Sequence, residues 1–143
     1  MTEGSSQTCP LCYGANVSDY YRDKVRSYVQ CGACKLVFVT PDEHLSSVEE
    51  KAYYDLHENQ PNDPGYRKFL SRLFDPLNAR LLQNRCGLDF GSGPGPTLSR
   101  MFEEAGHKVM LYDPYYASDV SVLSTQYDFI TLSEVVEHLA APG

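Results

Sequence analysis

The chain has 143 residues and a formal net charge of −7, and 42% of its residues are apolar. This length suits one domain or two small ones, and the apolar content is enough to form a buried core, which excludes wholesale disorder. The N-terminal residues lack a signal-peptide pattern, and no apolar run approaches the roughly 20 residues of a membrane span. We therefore expect a cytoplasmic protein that does not contact a membrane.

The acidic charge is concentrated in the C-terminal part of the chain. Residues 86–143 hold two basic side chains and eight acidic ones, whereas residues 1–41 hold four basic and three acidic side chains. An acidic segment repels a polyanion, which argues against a large nucleic-acid substrate. The four basic side chains in residues 1–41 leave RNA open as a weaker alternative substrate.

Two Cys-x-x-Cys pairs lie near the N-terminus, Cys9 with Cys12 and Cys31 with Cys34, with 18 residues between them. Two such turns facing each other form the four-sulfur tetrahedral site that zinc prefers. Because four cysteines leave no position for water or substrate, the predicted zinc is structural. The β-branched and aromatic residues around the second pair predict short strands, and so a zinc ribbon over residues 1–41.

The alternatives for these cysteines are two redox dithiols or two chance pairs. A thioredoxin-like motif needs a strand before its first cysteine, and only a polar tail precedes Cys9. The fifth cysteine, Cys86, lies at the start of an apolar strand pattern and is predicted to be a buried, inert thiol.

Residues 42–85 have helical patterns. A capping box at residues 47–50 predicts a short helix that runs through residues 51–57. Asp63 and Asp75 each precede a proline, as helix N-caps often do, and apolar residues recur at three- and four-residue steps between positions 66 and 82. This pattern predicts either two consecutive helices or one helix kinked at Pro76, with the apolar stripe in the core.

His57 lies at the end of the first of these helices, where a polar stretch begins. It is a candidate proton acceptor, and the alternative is an ordinary solvent-exposed loop histidine.

The segment from residue 86 onward alternates strands and helices. Residues 88–95 read LDFGSGPG, which predicts a short buried strand followed by a glycine loop whose glycines adopt angles closed to other residues. A helix is predicted over residues 97–105, ended by Gly106, then a strand with Asp113 at its end. A later strand running into a helix is predicted in YDFITLSEVVEHL, residues 127–139. This order predicts an α/β fold with a doubly wound sheet.

The glycine loop predicts a nucleoside ligand other than a dinucleotide. Asp113 lies 22 positions after Gly91, where an acidic residue grips ribose hydroxyls. The dinucleotide pattern requires a glycine where this chain has Pro96, and Pro94 and Pro96 remove two N–H donors that a pyrophosphate would use.

These three segments together resemble class I S-adenosylmethionine-dependent methyltransferases. LDFGSGPG resembles the first motif of that family, VMLYDP its second-strand acid, and YDFITLSEVVEHL its fourth strand and the following helix. A ribbon ahead of the sheet is similar to the layout of sugar C-methyltransferases and of zinc-finger ribosomal RNA guanine methyltransferases. The acidic chain and the four-cysteine pattern favour the first group.

The resemblance implies S-adenosylmethionine as the cofactor and a Rossmann-like doubly wound sheet. Asp89 would support the loop, the glycines would let the cofactor approach, Asp113 would hold the ribose hydroxyls, and the residues after the fourth strand would lie near the sulfonium. The implied cofactor contacts are Asp89, Gly91, Ser92, Gly93, Gly95, Asp113, Ser133 and Glu134.

Glu134, Glu137 and His138 stand at i, i+3 and i+4, so a helix would place them on one face. The run is similar to one in polyprenyl-quinone O-methyltransferases, where it is associated with a divalent metal. His138, Glu137 and His57 are therefore the candidate catalytic residues. The alternative is that the acidic residues of the run merely open a helix.

The sequence ends where the resemblance implies three further strands, so we expect an incomplete sheet over residues 86–143, preceded by the ribbon (1–41) and a helical segment (42–85). Such a sheet would expose an apolar edge that favours self-association. The predicted function is methyl transfer to a small-molecule acceptor, sugar-like or quinone-like. The alternatives are a ribosomal RNA methyltransferase and a catalytically silent zinc-binding interaction module.

Overall fold

The computed structural model describes residues 7–57 and 60–143. These residues form two compact units, one from residues up to Ser46 together with Val136–Gly143, the other from Ser47–Val135. The predicted polar stretch after the first helix includes residues 58 and 59, which lie outside the described residues. Within the described ranges, no helix combines the length and the apolar character needed to cross a bilayer.

The first unit contains an antiparallel sheet of three short strands, β1 (Val17–Arg22), β2 (Ser27–Cys31) and β3 (Val37–Val39), in the order β1-β2-β3. Val29 in β2 is 5% exposed. The turn between β1 and β2 is fixed by Asp23, whose carboxylate accepts the backbone N–H groups of Val25 and Arg26, both at 2.7 Å. The prediction of short strands around the second cysteine pair is confirmed.

Two further short elements belong to this unit. A 3-10 turn at Pro41–Glu43 follows β3, and the Glu43 carboxylate accepts the backbone N–H of Ser27 at 2.7 Å. A second 3-10 turn lies at Val136–His138. The prediction of a helix after the last strand is wrong here, because Glu134 has a φ of 56°, which an α-helix does not permit.

The second unit begins with two α-helices, α1 (Ser47–Asp55) and α2 (Pro64–Asn78). Asp63 caps α2 as predicted, because its carboxylate accepts the backbone N–H groups of Gly65 and Tyr66 at 2.7 and 3.1 Å. Asp75 does not begin a second helix, since α2 runs through it and through Pro76 to Asn78. Pro76 lies within the last turn of α2, where the missing N–H interrupts little of the helix.

A parallel sheet of three strands follows, formed by β4 (Cys86–Phe90), β5 (Lys108–Tyr112) and β6 (Phe129–Thr131) in the order β5-β4-β6. Between β4 and β5 the chain forms α3 (Thr97–Glu104), and Gly106 follows it with the predicted positive φ, 92°. Because all three strands are parallel, their carboxyl ends meet at one edge of the sheet.

The core lies between one face of this sheet and the helices α2 and α3. Phe102 of α3 is fully buried between Phe74 of α2 and Phe129 of β6, with both ring centroids 4.8 Å from its own. Gly87 of β4 leaves the space that the Phe129 ring occupies, because a Cβ at position 87 would lie 2.3 Å from the ring. Most of the predicted apolar stripe packs in this core, whereas Phe69 and Leu82 are 41% and 69% exposed.

The opposite face of the sheet is only partly covered in the described chain. Leu88 of β4 is 4% exposed, whereas Ile130 of β6 is 55% exposed. A 3-10 turn at Val120–Ser124 lies beside β5. The α/β class is thus observed, with both packed α-helices on one face of the sheet.

Candidate functional site

The four cysteines of the first unit converge on one point. Their sulfur atoms all lie within 4.8 Å of one another, with Cys9 and Cys34 at 3.6 Å and Cys12 and Cys31 at 3.6 Å. A tetrahedral zinc site with Zn–S bonds of about 2.3 Å places its sulfurs about 3.8 Å apart. The donor set and its spacing therefore fit a structural zinc ion held by these four thiolates.

The two cysteine pairs lie in turns with the same backbone hydrogen bonds. The N–H of Cys9 donates to the carbonyl of Gly14, and the N–H of Cys31 donates to that of Leu36, both at 2.9 Å. The residue after each pair has a left-handed backbone, Tyr13 with φ 60° and Lys35 with φ 65°. Each turn thus presents two sulfurs on one side, as zinc-binding turns require.

Backbone donors also favour the ligating form of Cys31. Hydrogen bonds from the backbone N–H groups of Cys34 and Ala33 lower the pKa of the Cys31 thiol to about 6, against the opposing effect of its burial. The thiolate is the form that binds metal. Cys86 lies outside this cluster, half-buried in β4.

The glycine loop leaves the end of β4 and turns back toward the end of β5. The backbone N–H groups of Gly91 and Ser92 both donate to the carbonyl of Tyr112, at 2.7 and 3.2 Å. Gly91 and Gly93 have positive φ values, 74° and 67°, whereas Gly95 does not. Two of the three glycines therefore adopt the left-handed backbone that the sequence predicted, since this region strongly favours glycine.

The two left-handed glycines face different surroundings. A Cβ at Gly91 would lie 2.5 Å from Cγ2 of Val135, so this glycine allows a close approach within the protein. A Cβ at Gly93 would meet no atom within 4 Å. At Gly93 the positive φ, and no neighbouring atom of the protein, is therefore what favours glycine.

Asp113, directly after β5, joins this loop to the segment that follows β5. One carboxylate oxygen accepts the backbone N–H of Gly93 at 2.9 Å. The other accepts the backbone N–H groups of Tyr115 and Tyr116, at 2.9 and 3.2 Å. The carboxylate is 7% exposed and organises the edge of the site through three backbone donors.

Asp89, the acid of the first motif, is buried in β4 with 4% exposure. Its carboxylate accepts the hydroxyl of Thr131 in β6 at 2.8 Å. Burial raises the pKa of Asp89 to about 6, and the negative charge of Asp113 adds to this, while the Thr131 hydrogen bond opposes it. Asp89 thus links two strands beneath the loop instead of facing solvent.

A small chamber of about 20 Å³ lies beneath the loop. This space is enough for one water molecule and no larger ligand. Its wall includes Asp89, and the hydroxyl oxygen of Ser92 is buried without a hydrogen-bond partner among the described residues. Burial, with the charges of Asp89 and Glu134, raises the pKa of Tyr66, another wall residue. The lining residues are Tyr66, Leu70, Asp89, Gly91, Ser92, Gly95, Thr97, Leu98 and Ser133.

The chemistry of the loop suits a ligand without phosphate. A Cβ at Gly93 would meet no atom within 4 Å, and the two prolines leave few N–H donors. Asp89, Gly91, Ser92 and Gly95 line the chamber on the inner side, and Ser133 lies on its wall as well.

The remaining predicted site residues lie in other settings. The expected helix face of Glu134, Glu137 and His138 does not form, because Glu134 has left-handed backbone and only Val136–His138 makes a 3-10 turn. Nε2 of His138 lies 4.0 Å from a carboxylate oxygen of Glu137. His57 is exposed just after α1, with Nδ1 3.2 Å from the carbonyl of Tyr53.

Two residues of this region were missed by the sequence analysis. The hydroxyl of Tyr115 donates to Glu50 at 2.6 Å, and that of Tyr116 donates to Asp55 at 2.5 Å, so both tyrosines hold α1. Their position directly after Asp113-Pro114 was the available signal. An open cleft of about 410 Å³ lies between α1 and Tyr115, lined by Ser47, Val48, Lys51, Ala52, Asp55 and Tyr115.

Comparison with known proteins identifies the class. A family model described as a methyltransferase domain matches residues 36–143, about three quarters of the chain, and the chain therefore belongs to this methyltransferase domain family. The four cysteines precede the matched segment. Neither a curated protein nor a solved structure matches the chain.

Proposed function

We propose that the chain is part of a class I methyltransferase that uses S-adenosylmethionine to methylate a small molecule. The observation that carries this proposal is the hydrogen bond from Gly93 to Asp113, which joins a left-handed glycine loop and an acid at the carboxyl ends of two adjacent parallel strands. Ligands of parallel α/β sheets bind at this edge. The methyltransferase domain match supports the same reaction.

Adenosylmethionine supplies a methyl group that its sulfonium has already activated. The contribution of the chain is to bind and to align, which accounts for much of the rate of such transfers. Gly93 leaves room for the cofactor at the main chain, while Gly91 lets the loop pack closely against Val135. Asp113 is proposed to hold the ribose hydroxyls. Ser92, Gly95, Ser133 and Glu134 complete the contacts, while Asp89 supports the loop from below.

A base is needed only if the acceptor loses a proton during the transfer. His138, Glu137 and His57 are the candidates for this role. We assign residues 1–41 to the zinc ribbon, 42–85 to a helical segment, and 86–143 to a Rossmann-like doubly wound domain. The parallel order β5-β4-β6 agrees with the centre of such a sheet.

Cofactor binding tests this proposal directly. Calorimetry with S-adenosylmethionine and with S-adenosylhomocysteine should show one site per chain. Gly93→Ala should abolish this binding. Gly106→Ala is the matched control, because Gly106 also has positive φ and open space around it but follows α3, away from the loop. Equal binding by both variants, or no binding by the unmodified chain, would overturn the proposal.

The acceptor is proposed to be sugar-like or quinone-like, because the acidic segment 86–143 would repel RNA. Transfer of a labelled methyl group to sugar nucleotides, quinols and ribosomal RNA, each offered separately, distinguishes these classes. Methylation of RNA, together with an RNA affinity that falls steeply with salt, would favour the alternative acceptor.

A further inference from the structure

Helix α1 contributes no side chain to the core of its unit. None of its residues is buried, and its apolar side chains point largely into solvent, with Val48 77% and Tyr53 56% exposed. The open cleft beside Tyr115 leaves apolar packing between α1 and the segment after β5 incomplete. Burial alone does not account for the position of α1, so its polar contacts contribute to it, together with the Tyr54 ring, which lies 6.3 Å from that of Tyr115.

Those polar contacts come from two adjacent tyrosines. Tyr115 donates its hydroxyl to Glu50 at 2.6 Å, and Tyr116 donates to Asp55, further along α1, at 2.5 Å. Nζ of Lys51 lies 2.9 Å from Asp55 and 5.2 Å from the Tyr116 ring centroid, so it supports the same contact.

The two hydroxyls remain donors at neutral pH. The Glu50 hydrogen bond raises the pKa of Tyr115 to about 12, and burial together with the Asp55 hydrogen bond raises the pKa of Tyr116 to about 12. The Tyr116 hydrogen bond, followed by that of Lys51, lowers the pKa of Asp55, which keeps this acceptor ionised. The Tyr116–Asp55 bond therefore joins a neutral donor to a charged acceptor, the stronger kind of hydrogen bond.

The same tyrosines are bound at their backbones to the glycine loop through one carboxylate. Asp113 accepts the N–H groups of Tyr115 and Tyr116 on one oxygen and the N–H of Gly93 on the other. Asp113 and the two tyrosines thus connect the glycine loop with Glu50 and Asp55 of α1, through backbone hydrogen bonds at one end of each tyrosine and a hydroxyl hydrogen bond at the other. If a ligand that orders the loop also stabilises the docked α1, then docking of α1 raises the affinity for that ligand by the same factor, because coupling between sites is reciprocal.

We propose that Tyr115 and Tyr116 are positioning residues of the cofactor site, which tie α1 to the glycine loop so that cofactor binding and α1 docking stabilise each other. This inference rests on the proposed use of adenosylmethionine. The tyrosines act through Asp113 and α1 and need not contact the cofactor.

The double variant Tyr115→Phe/Tyr116→Phe removes both hydroxyls and keeps both rings. Hydrogen exchange of the α1 amides, measured without ligand, should be about tenfold faster in this variant. In the unmodified chain, S-adenosylhomocysteine should slow α1 exchange, and this protection should be lost in the variant. Calorimetric affinity for S-adenosylhomocysteine should fall about fivefold or more in the variant.

Tyr127→Phe is the matched control. Tyr127 is also half-buried in the second unit, and its hydroxyl donates to the carbonyl of Val122 at 2.7 Å, away from α1. It should change neither α1 exchange nor affinity. Glu50→Gln, which keeps an oxygen acceptor for Tyr115, should retain most of the affinity that Glu50→Ala loses.

The outcomes separate this inference from the proposed function. No binding of S-adenosylhomocysteine by the unmodified chain overturns the proposed function, and the inference with it. The inference is overturned if the unmodified chain and the double variant bind S-adenosylhomocysteine equally well and the ligand does not change hydrogen exchange in α1. The proposed function would still stand.

Discussion

Asp113 and Gly93 are joined by a hydrogen bond of 2.9 Å, from the backbone N–H of the glycine to the carboxylate. The bond connects the turn after β4 with the residue after β5, across the edge of the sheet where two parallel strands end. Since the carboxylate also accepts two backbone N–H groups on its own side, one buried side chain organises both loops.

Replacing this carboxylate should loosen both loops. Asp113→Ala leaves the N–H groups of Gly93, Tyr115 and Tyr116 without their acceptor, so the free energy of unfolding should fall by about 2 to 4 kcal/mol. Asp113→Asn should cost less, because its amide oxygen still accepts the two tyrosine N–H groups. Urea unfolding measures both, and affinity for adenosylmethionine should fall in the same order.

Asp119→Ala provides the comparison for Asp113. The Asp119 carboxylate accepts only one backbone N–H, from Ser121 at 2.9 Å, in an exposed turn of the same unit. Its loss should cost about 1 kcal/mol and leave cofactor affinity unchanged. If the alanine variants at 113 and 119 lowered stability and affinity equally, the organising role of Asp113 would be refuted.

The buried carboxylate of Asp89 should make stability depend on pH. Its pKa is raised to about 6 in the folded chain, whereas an exposed aspartate titrates near 4. Between these values the folded state holds a proton that the unfolded state has released, so stability falls as the pH rises from about 4 to about 6. The loss amounts to roughly 3 kcal/mol.

Asp89→Asn removes this titration and keeps an acceptor for Thr131. We expect the variant to match the unmodified chain near pH 4 and to be more stable above pH 6, as measured by urea unfolding across this range. Asp55 and Asp23 have pKa values lowered by their hydrogen bonds, so they make stability rise with pH, and they do so at lower pH than Asp89. Both proteins contain these residues, so their effect cancels when the two stability curves are compared. A constant difference between the two proteins at every pH would contradict the assignment.

Gly87 should tolerate no larger residue while Phe129 is present. A Cβ at position 87 would lie 2.3 Å from the Phe129 ring, so Gly87→Ala should lower the free energy of unfolding by about 1 to 3 kcal/mol through overpacking. Phe129→Leu makes room for the methyl group. The double variant should therefore lose less stability than the two single variants together, and strict additivity would show that the two side chains do not compete for this space.

Features set by neighbouring residues could be read from the sequence. The Asp63 cap, the end of α3 at Gly106 and the strand before Asp113 depend on residues within a few positions, and all are confirmed. The convergence of the cysteine sulfurs also agrees with their spacing. Such features depend on residues close together in the sequence or, for the cysteines, on a repeated Cys-x-x-Cys motif.

Features that depend on contacts between residues far apart in the sequence could not be predicted from it. The Tyr115 hydroxyl meets Glu50, 65 positions earlier, and the Thr131 hydroxyl meets Asp89, 42 positions earlier, and neither pair leaves a periodic signal. The predicted helix after β6 was wrong because Glu134 adopts a left-handed backbone, which the strand-then-helix pattern of residues 127–139 does not reveal. Propensity is a weak guide where tertiary structure fixes one residue.

The four cysteines should hold a zinc ion on which the fold of the first unit depends. Cys34 is exposed, so in a chain without a metal its replacement by serine would cost almost nothing. If the four sulfurs hold zinc, Cys34→Ser removes one of four ligands, and the first unit should lose its metal and unfold, since binding energy is folding energy in such sites.

Cys86→Ser is the control, because Cys86 lies in β4, outside the cluster. Metal analysis and thermal unfolding should show about one zinc per chain in the unmodified protein and in Cys86→Ser, and neither zinc nor a stable first unit in Cys34→Ser. Equal metal content and equal unfolding temperature in both variants would mean that the cysteine cluster does not hold a structural metal.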